Sequence, residues 1–162
     1  MHIRILALAA LACSIASAGC GSQIKESPPY SSEAGLTFEI DDGTGIFYSK
    51  SKSYLPVYCS TNYPIRKMDI GQDNFDAIAG LVTAGDIWHT KVVGISQCQV
   101  IDVGLPGQYF KFETHDKSVT IKVGQCQRVD SAHEPYLKAI RQIVRTVSDR
   151  QKLYVSGECI RI

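Results

Sequence analysis

Two short runs on either side of His115-Asp116 constrain the fold more than any other feature of the 162-residue chain. Phe110 and Phe112 alternate with Lys111 and Glu113, and Val119, Ile121 and Val123 alternate with Thr120 and Lys122. Side chains on a strand point to opposite faces at a period of two, so each run has one apolar and one polar face. If His115-Asp116 forms the turn, Phe112 stands opposite Val119 and Phe110 opposite Ile121. A slip of one residue would turn one strand's apolar face to water, so the pattern fixes the register as well as the hairpin.

Leu36-Thr37-Phe38-Glu39-Ile40 has the same alternation, Asp41 to Gly45 reads as a tight turn, and Ile46 to Ser49 resumes extended structure. A third strand is expected from Tyr54 to Cys59, at a sheet edge, because Pro56 cannot donate to a ladder. The period then changes. Phe75, Ile78, Ala79 and Val82 share one face of a helix, with Asp73 and Asp76 near its positive end and Gly85 as its stop. A strand over about Lys91 to Val103 is expected to join the hairpin through Gly104-Leu105-Pro106-Gly107 as a three-stranded meander. A second helix is expected from Ala132 to Asp149, with Ser131 and Glu134 at capping-box spacing or Pro135 in its first position. Its buried stripe is Leu137, Ile140, Val144 and Val147, and a last strand runs from Lys152 to Ile160. These elements predict an α+β fold: an antiparallel sheet of about six to seven strands with two helices packed on one face.

The N-terminus reads as an address. Arg4 precedes an apolar run from Ile5 to Ala12, and small residues follow as far as Cys20, the order that a secretory signal requires. An uncleaved anchor fits less well, because the last third of the segment is too polar and small to hold a helix in hydrocarbon. Ala16-Ser17-Ala18 suits an ordinary signal peptidase, whereas Ser17-Ala18-Gly19-Cys20 resembles the lipobox of bacterial lipoproteins. That family usually carries Leu where Ser17 stands, and Ala18, Gly19 and Cys20 match. The resemblance covers the N-terminus alone. It implies a signal peptide over residues 1–19, an acylated (palmitate-bearing) Cys20 as the first mature residue, and attachment to a membrane. An Asp after the cysteine would be the family's usual inner-membrane retention signal; Gly21 stands there, which points to an outer-membrane lipoprotein facing the periplasm. A soluble periplasmic or secreted form is the alternative. Residues 20–35 are expected to form a flexible tether rich in Ser, Pro and Gly, and residues 36–162 a single domain.

Cysteine parity agrees with lipidation. Cys13 leaves with the signal and Cys20 would be acylated, so Cys59, Cys98, Cys126 and Cys159 remain, enough for two disulfides in an oxidising compartment. Their spacing has none of the C-x-x-C character of a zinc or redox site. Of the three pairings, Cys98–Cys126 with Cys59–Cys159 is favoured, the first closing a loop in the meander and the second tying early strands to the C-terminal one. Gln97-Cys98-Gln99-Val100-Ile101-Asp102 nearly repeats as Gln125-Cys126-Gln127-Arg128-Val129-Asp130, a match short enough to arise by chance.

Composition narrows the function classes. At 44% hydrophobic and 20% charged the chain is neither a polytopic membrane protein nor a disordered one. Loss of Arg4 leaves 16 basic and 16 acidic residues, a balance that argues against nucleic acid as a partner. His89, His115 and His133 fall in no H-E-x-x-H pattern, no G-x-S-x-G elbow or phosphate loop occurs, and no cofactor or metal is expected. Asp41 to Gly45 lacks the further oxygen ligands of a calcium loop and the D-T-G order of an aspartic protease. Lys138, Arg141 and Arg145 share a helix face that could meet anionic lipid or an acidic partner, although a solvated face accounts for them. Tyr48, Tyr54, Tyr58 and Tyr63 crowd one stretch and form the candidate binding surface, since tyrosine buries area while keeping a hydrogen bond. The expected function is an envelope-anchored lipoprotein with a disulfide-stapled domain that binds a protein or cell-wall component, inhibitor- or immunity-like by analogy. The alternative is a periplasmic hydrolase or transferase whose site gathers His89, His115 or an aspartate pair in three dimensions.

Overall fold

The computed structural model describes Tyr30 and residues 35–57, 64–98 and 107–153. In chain order the elements are β1 (Thr37–Asp41), β2 (Ile46–Tyr48), β3 (Ser53–Leu55), β4 (Arg66–Lys67), α1 (Gln72–Ala84), a 3-10 turn (Ile87–His89), β5 (Val92–Gly94), β6 (Gln108–Glu113), β7 (Ser118–Val123), β8 (Gln127–Val129) and α2 (Glu134–Arg150). Six strands form one antiparallel sheet in the order β4-β3-β2-β1-β6-β7, and β5 pairs with β8 in a separate ribbon. The fold is therefore α+β, as the alternating patterns require. Among the described residues no helix is long and apolar enough to cross a membrane.

The hairpin has the expected register, with Phe112 opposite Val119 and Phe110 opposite Ile121. Its turn closes where the Thr114 amide donates to the Lys117 carbonyl at 2.8 Å. The apolar residues of both strands then face inward, and β1 adds Phe38 opposite Phe112 and Ile40 opposite Phe110. Phe38, Ile40, Phe47, Phe110 and Phe112 are buried on this face against Phe75, Ile78 and Val82 of α1 and Leu137, Ile140, Val144 and Val147 of α2. The Phe38 and Phe75 rings stack at 5.2 Å between centroids. Burying each such side chain contributes roughly 2–3 kcal/mol, so this two-layer contact is the main stabilising term. Gly85 ends α1 as expected, and a Cβ there would lie 2.6 Å from the Tyr136 ring, so the glycine also admits α2 close to α1.

Three expectations are corrected, and a fourth falls mostly outside the described residues. The strand expected from Lys91 to Val103 spans only Val92–Gly94 and pairs with β8, while the second neighbour of β6 is β1. A partner for β6 must continue the inward face of Phe110 and Phe112, and Phe38 and Ile40 do so. Val92, Val93 and Ile95 follow one another without alternation and are all exposed. Residues 99–106 lie outside the described residues. Secondly, the third strand stops at Leu55, just before Pro56, and the edge is β4; Tyr58 and Cys59 lie outside the described residues. Thirdly, Ser131 and Glu134 form no capping box. Instead the Asp130 carboxylate accepts from the amides of Ala132 (3.1 Å) and His133 (3.3 Å) ahead of α2, and from the Lys91 amide at 2.8 Å. The Lys91 bond, more than the His133 ring beside it, pulls the Asp130 carboxyl down to about 2. Finally, Lys152 and Leu153 are not in a strand, and residues 154–160 of the expected last strand lie outside the described residues.

Tight packing of the first turn depends on a buried acid. Asp42 is fully buried, and its Oδ1 accepts from the Thr44 amide (2.8 Å), the Thr44 hydroxyl (2.9 Å), the Gly45 amide (3.0 Å) and the Tyr54 hydroxyl (2.8 Å). The Ser148 hydroxyl of α2 donates to its Oδ2, joining the turn to the helix. Beside it Asp41 Oδ1 accepts from the Gly43 amide at 2.7 Å, and the Arg141 Nε donates to the Asp41 carbonyl at 3.1 Å. Arg141 thus belongs to the interior edge of the fold and not to a solvated basic face.

Candidate functional site

The outward side chains of the sheet follow from the same alternation that buries the inward ones. Pairing aligns Lys67, Ser53, Tyr48, Glu39, Lys111 and Thr120 in one row across all six strands. Near the middle of this row lies a cavity of about 340 Å³ lined by Thr37, Glu39, Tyr48, Lys50, Lys111 and Glu113. The polar groups around it are already fixed by one another. Tyr109 donates its hydroxyl to Glu39 Oε2 at 2.8 Å, and Lys111 Nζ lies 3.5 Å from Glu39 Oε1 and 3.0 Å from Glu113 Oε2.

Their protonation follows from these contacts. The hydrogen bond to Glu113, with the Glu39 charge behind it, holds the Lys111 ammonium above its ordinary value. Burial, then the Glu39 carboxylate, pushes up the hydroxyls of both Tyr48 and Tyr109. At neutral pH the site therefore offers a fixed cation, two phenolic hydroxyls and carboxylate oxygens around a partly apolar hollow. That set suits recognition through hydrogen bonds and ring contact.

Of the tyrosines expected on a binding surface, Tyr48 lines this cavity. Tyr54 does not. It is fully buried, because the residue opposite it on β2 is the inward Phe47, and its hydroxyl is spent on Asp42. Tyr58 and Tyr63 lie outside the described residues, as do Cys20, Cys59 and Cys159. Cys98 and Cys126 form a disulfide. The two cysteines flank β5 and β8 at the same end of the ribbon, where the Ile95 amide donates to the Cys126 carbonyl at 2.9 Å.

The histidines of the enzyme alternative sit in three different segments of the fold. His89 Nδ1 is 2.7 Å from Asp86 Oδ2 and the side chain is 74% exposed. His133 Nδ1 is 2.6 Å from Asp130 Oδ1, and His115 stands in the β6–β7 turn beside Gly35. The aspartate pair is the buried Asp41-Asp42 turn, already occupied by the donors given above. Among the described residues no three His, Cys, Asp or Glu side chains come together as a metal site. Sequence patterns passed over Glu39, Tyr109, Lys111 and Glu113, although each is the polar half of an alternation; what joins them is the contact of β1 with β6.

Comparison with family models, characterised proteins and solved structures gives no match to the chain.

Proposed function

We propose that the chain is an exported envelope lipoprotein, acylated at Cys20 after loss of residues 1–19, whose disulfide-stapled domain binds a protein or cell-wall partner through the open sheet face at Tyr48. Inhibition of, or immunity to, an envelope-attacking enzyme is the concrete form this reading takes. The observation that carries the binding half is the cavity bounded by Tyr48, Glu39, Lys111 and Glu113, where donors and acceptors are preset on rigid strands. Preorganisation of this kind lowers the entropy lost on association. The lipobox resemblance and the cysteine parity support the anchored half. The second staple, Cys59–Cys159, belongs to the same reading, and non-reducing peptide mass spectrometry decides it.

The test is capture from envelope extract, followed by a titration of the purified partner against wild type, Tyr48→Ala and Lys111→Ala. Each substitution is expected to weaken binding by tenfold or more, the usual scale of a central interface residue. Equal affinities for all three proteins would overturn the site.

A further inference from the structure

We infer that the Tyr48 cavity receives one uncharged pyranose ring of a wall glycan, and not a side chain of a protein partner. The inference rests on the binding surface proposed above and takes its cell-wall arm. The residues around the hollow argue against a protein. Glu39, Tyr48, Lys50, Ser51, Lys111 and Glu113 line it. The centre of a protein–protein interface is depleted in Lys, Glu and Ser and is filled by apolar and aromatic anchors. The exposed large aliphatic side chains of the described residues, Val57, Ile65, Val92, Val93 and Ile95, all lie away from the cavity. An anchor residue of a protein partner would find little more than the Tyr48 ring to pack on, with four charges to desolvate around it.

The same charges suit a sugar. Glu39 and Glu113 stand against Lys50 and Lys111, two of each sign, so the walls carry no net charge and favour neither an anion nor a cation. A neutral polyhydroxyl ligand meets a donor or an acceptor on every side, because each of its hydroxyls has one donor and two acceptor sites. A carboxylate has about four acceptor sites, and Glu39 spends one on Tyr109 and one on Lys111. Sugar hydroxyls can therefore add to this network without breaking it, through hydrogen bonds roughly twice as strong as those between neutral groups. Size agrees. A volume of about 340 Å³ stands at the small end of the roughly 300–1,000 Å³ of ligand pockets, room for one substituted ring. Tyr48 offers an apolar ring with a polar tip, which matches a pyranose with C–H bonds on its face and hydroxyls around its edge. The charged groups are tied to one another on paired strands, so little order has to be gained on binding.

The test uses the mature chain carrying Cys20→Ser, which cannot be acylated. The isotope-labelled protein is titrated with the neutral trisaccharides chitotriose and cellotriose and followed by its amide chemical shifts. At least one sugar is expected to bind with a millimolar Kd and to move the amides of Thr37, Glu39, Tyr48 and Lys111. Because the ligand is uncharged, the Kd should be the same in low and high salt. Tyr48→Ala should weaken binding about tenfold or more, and Glu39→Gln about fivefold. Tyr48→Phe keeps the ring and should stay within about threefold of wild type, and Lys138→Ala on the exposed side of α2 should change nothing. The dispersion of each variant's amide spectrum reports that it is folded. The protein should also pellet with insoluble wall glycan and be released by the trisaccharide; binding of the free sugars without pelleting would overturn the wall as their source. No shift with either sugar at tens of millimolar, shifts confined to another face, or tighter binding of a uronic-acid or glucosamine oligomer would overturn the inference. A protein partner captured through Tyr48 by a domain that responds to neither sugar would leave the binding surface standing and remove the glycan, so the two readings fail separately.

Discussion

Replacing Asp42 by Ala is expected to remove about 4 kcal/mol of stability. The carboxylate is fully buried and accepts five hydrogen bonds from the turn, from Tyr54 on β3 and from Ser148 on α2. Bonds to a charged acceptor contribute about 1.5–3 kcal/mol each in isolation, but the charge had to be desolvated, so their sum overstates the effect. The cost of the substitution lies mainly in the Tyr54 and Ser148 hydroxyls left buried without this acceptor. Breaking such a buried cluster on one side typically costs about 3–5 kcal/mol, a large share of the roughly 5–15 kcal/mol of a whole domain. With a urea m-value near 1.5 kcal/mol/M the midpoint should fall by about 2–3 M. Tyr54→Phe alone should cost about 2 kcal/mol. The double variant should cost about 4 and not 6, because once the carboxylate is gone the tyrosine hydroxyl keeps only its 3.1 Å contact with the Thr44 hydroxyl. Urea unfolding of the four proteins, followed by circular dichroism with the disulfide intact, gives this cycle. A coupling below about 0.5 kcal/mol would show that Tyr54 and Asp42 do not act together, and the account of the turn would fail.

Other expectations are briefer. The Cys98–Cys126 bridge spans 28 residues, so Cys98→Ser with Cys126→Ser should lower stability by about 3–4 kcal/mol through loop entropy; an unchanged denaturation midpoint would mean that the β5–β8 ribbon folds independently of the core. Burial and then the Asp42 charge push the Tyr54 hydroxyl far up, while an unfolded tyrosine ionises near pH 10. The folded state holds a proton that the unfolded state releases, so this stability is present below pH 10 and declines above it by about 1.4 kcal/mol per pH unit. Urea midpoints from pH 8 to 11 should show the decline, and Tyr54→Phe should make it shallower while the raised hydroxyls of Tyr30, Tyr48 and Tyr109 keep their share; identical slopes would refute the assignment. In Gly45→Ala the new Cβ would lie 2.5 Å from the Leu55 carbonyl oxygen and 2.7 Å from the Tyr54 ring, neither free to retreat, and a loss of about 2–3 kcal/mol is expected in thermal melts.

Where a pattern was local, it could be read. The β6–β7 register and the inward stripes of both helices come from alternation and 3.6-residue periodicity, and the long buried residues match them one for one: Phe110, Phe112, Ile121, Leu137, Ile140 and Val144. Long-range choices were not legible. Nothing in the hydrogen-bonding capacity of residues 91–98 announces that they avoid β6, and nothing in that of residues 37–41 announces that they take its place, because either strand could hydrogen-bond to the free edge. The Tyr48 site shares this difficulty, since Glu39 and Lys111 meet across a gap of 72 residues. Tyr54 misled for a related reason. A tyrosine in a polar stretch reads as surface until the buried carboxylate that accepts its hydrogen bond is known, and Asp42 reads as an ordinary turn residue until Tyr54 and Ser148 surround it.

The pairing of β1 with β6 also governs the order in which the molecule can assemble. Ile40 meets Phe110 seventy residues later, so a chain emerging from its N-terminus holds one side of β1 unsatisfied until more than two-thirds of it is out. β1 to β3 can form a hairpin array early, but a sheet of three short strands with no covering helix is marginal, and α2 arrives last among the described elements. Closing so long a loop before its contacts are gained slows folding, and the core cannot close until the later residues have emerged. Export as proposed above would make use of this delay: a segment threading a membrane pore would stay unfolded, and the core would close only once Phe110 and α2 had reached the other side.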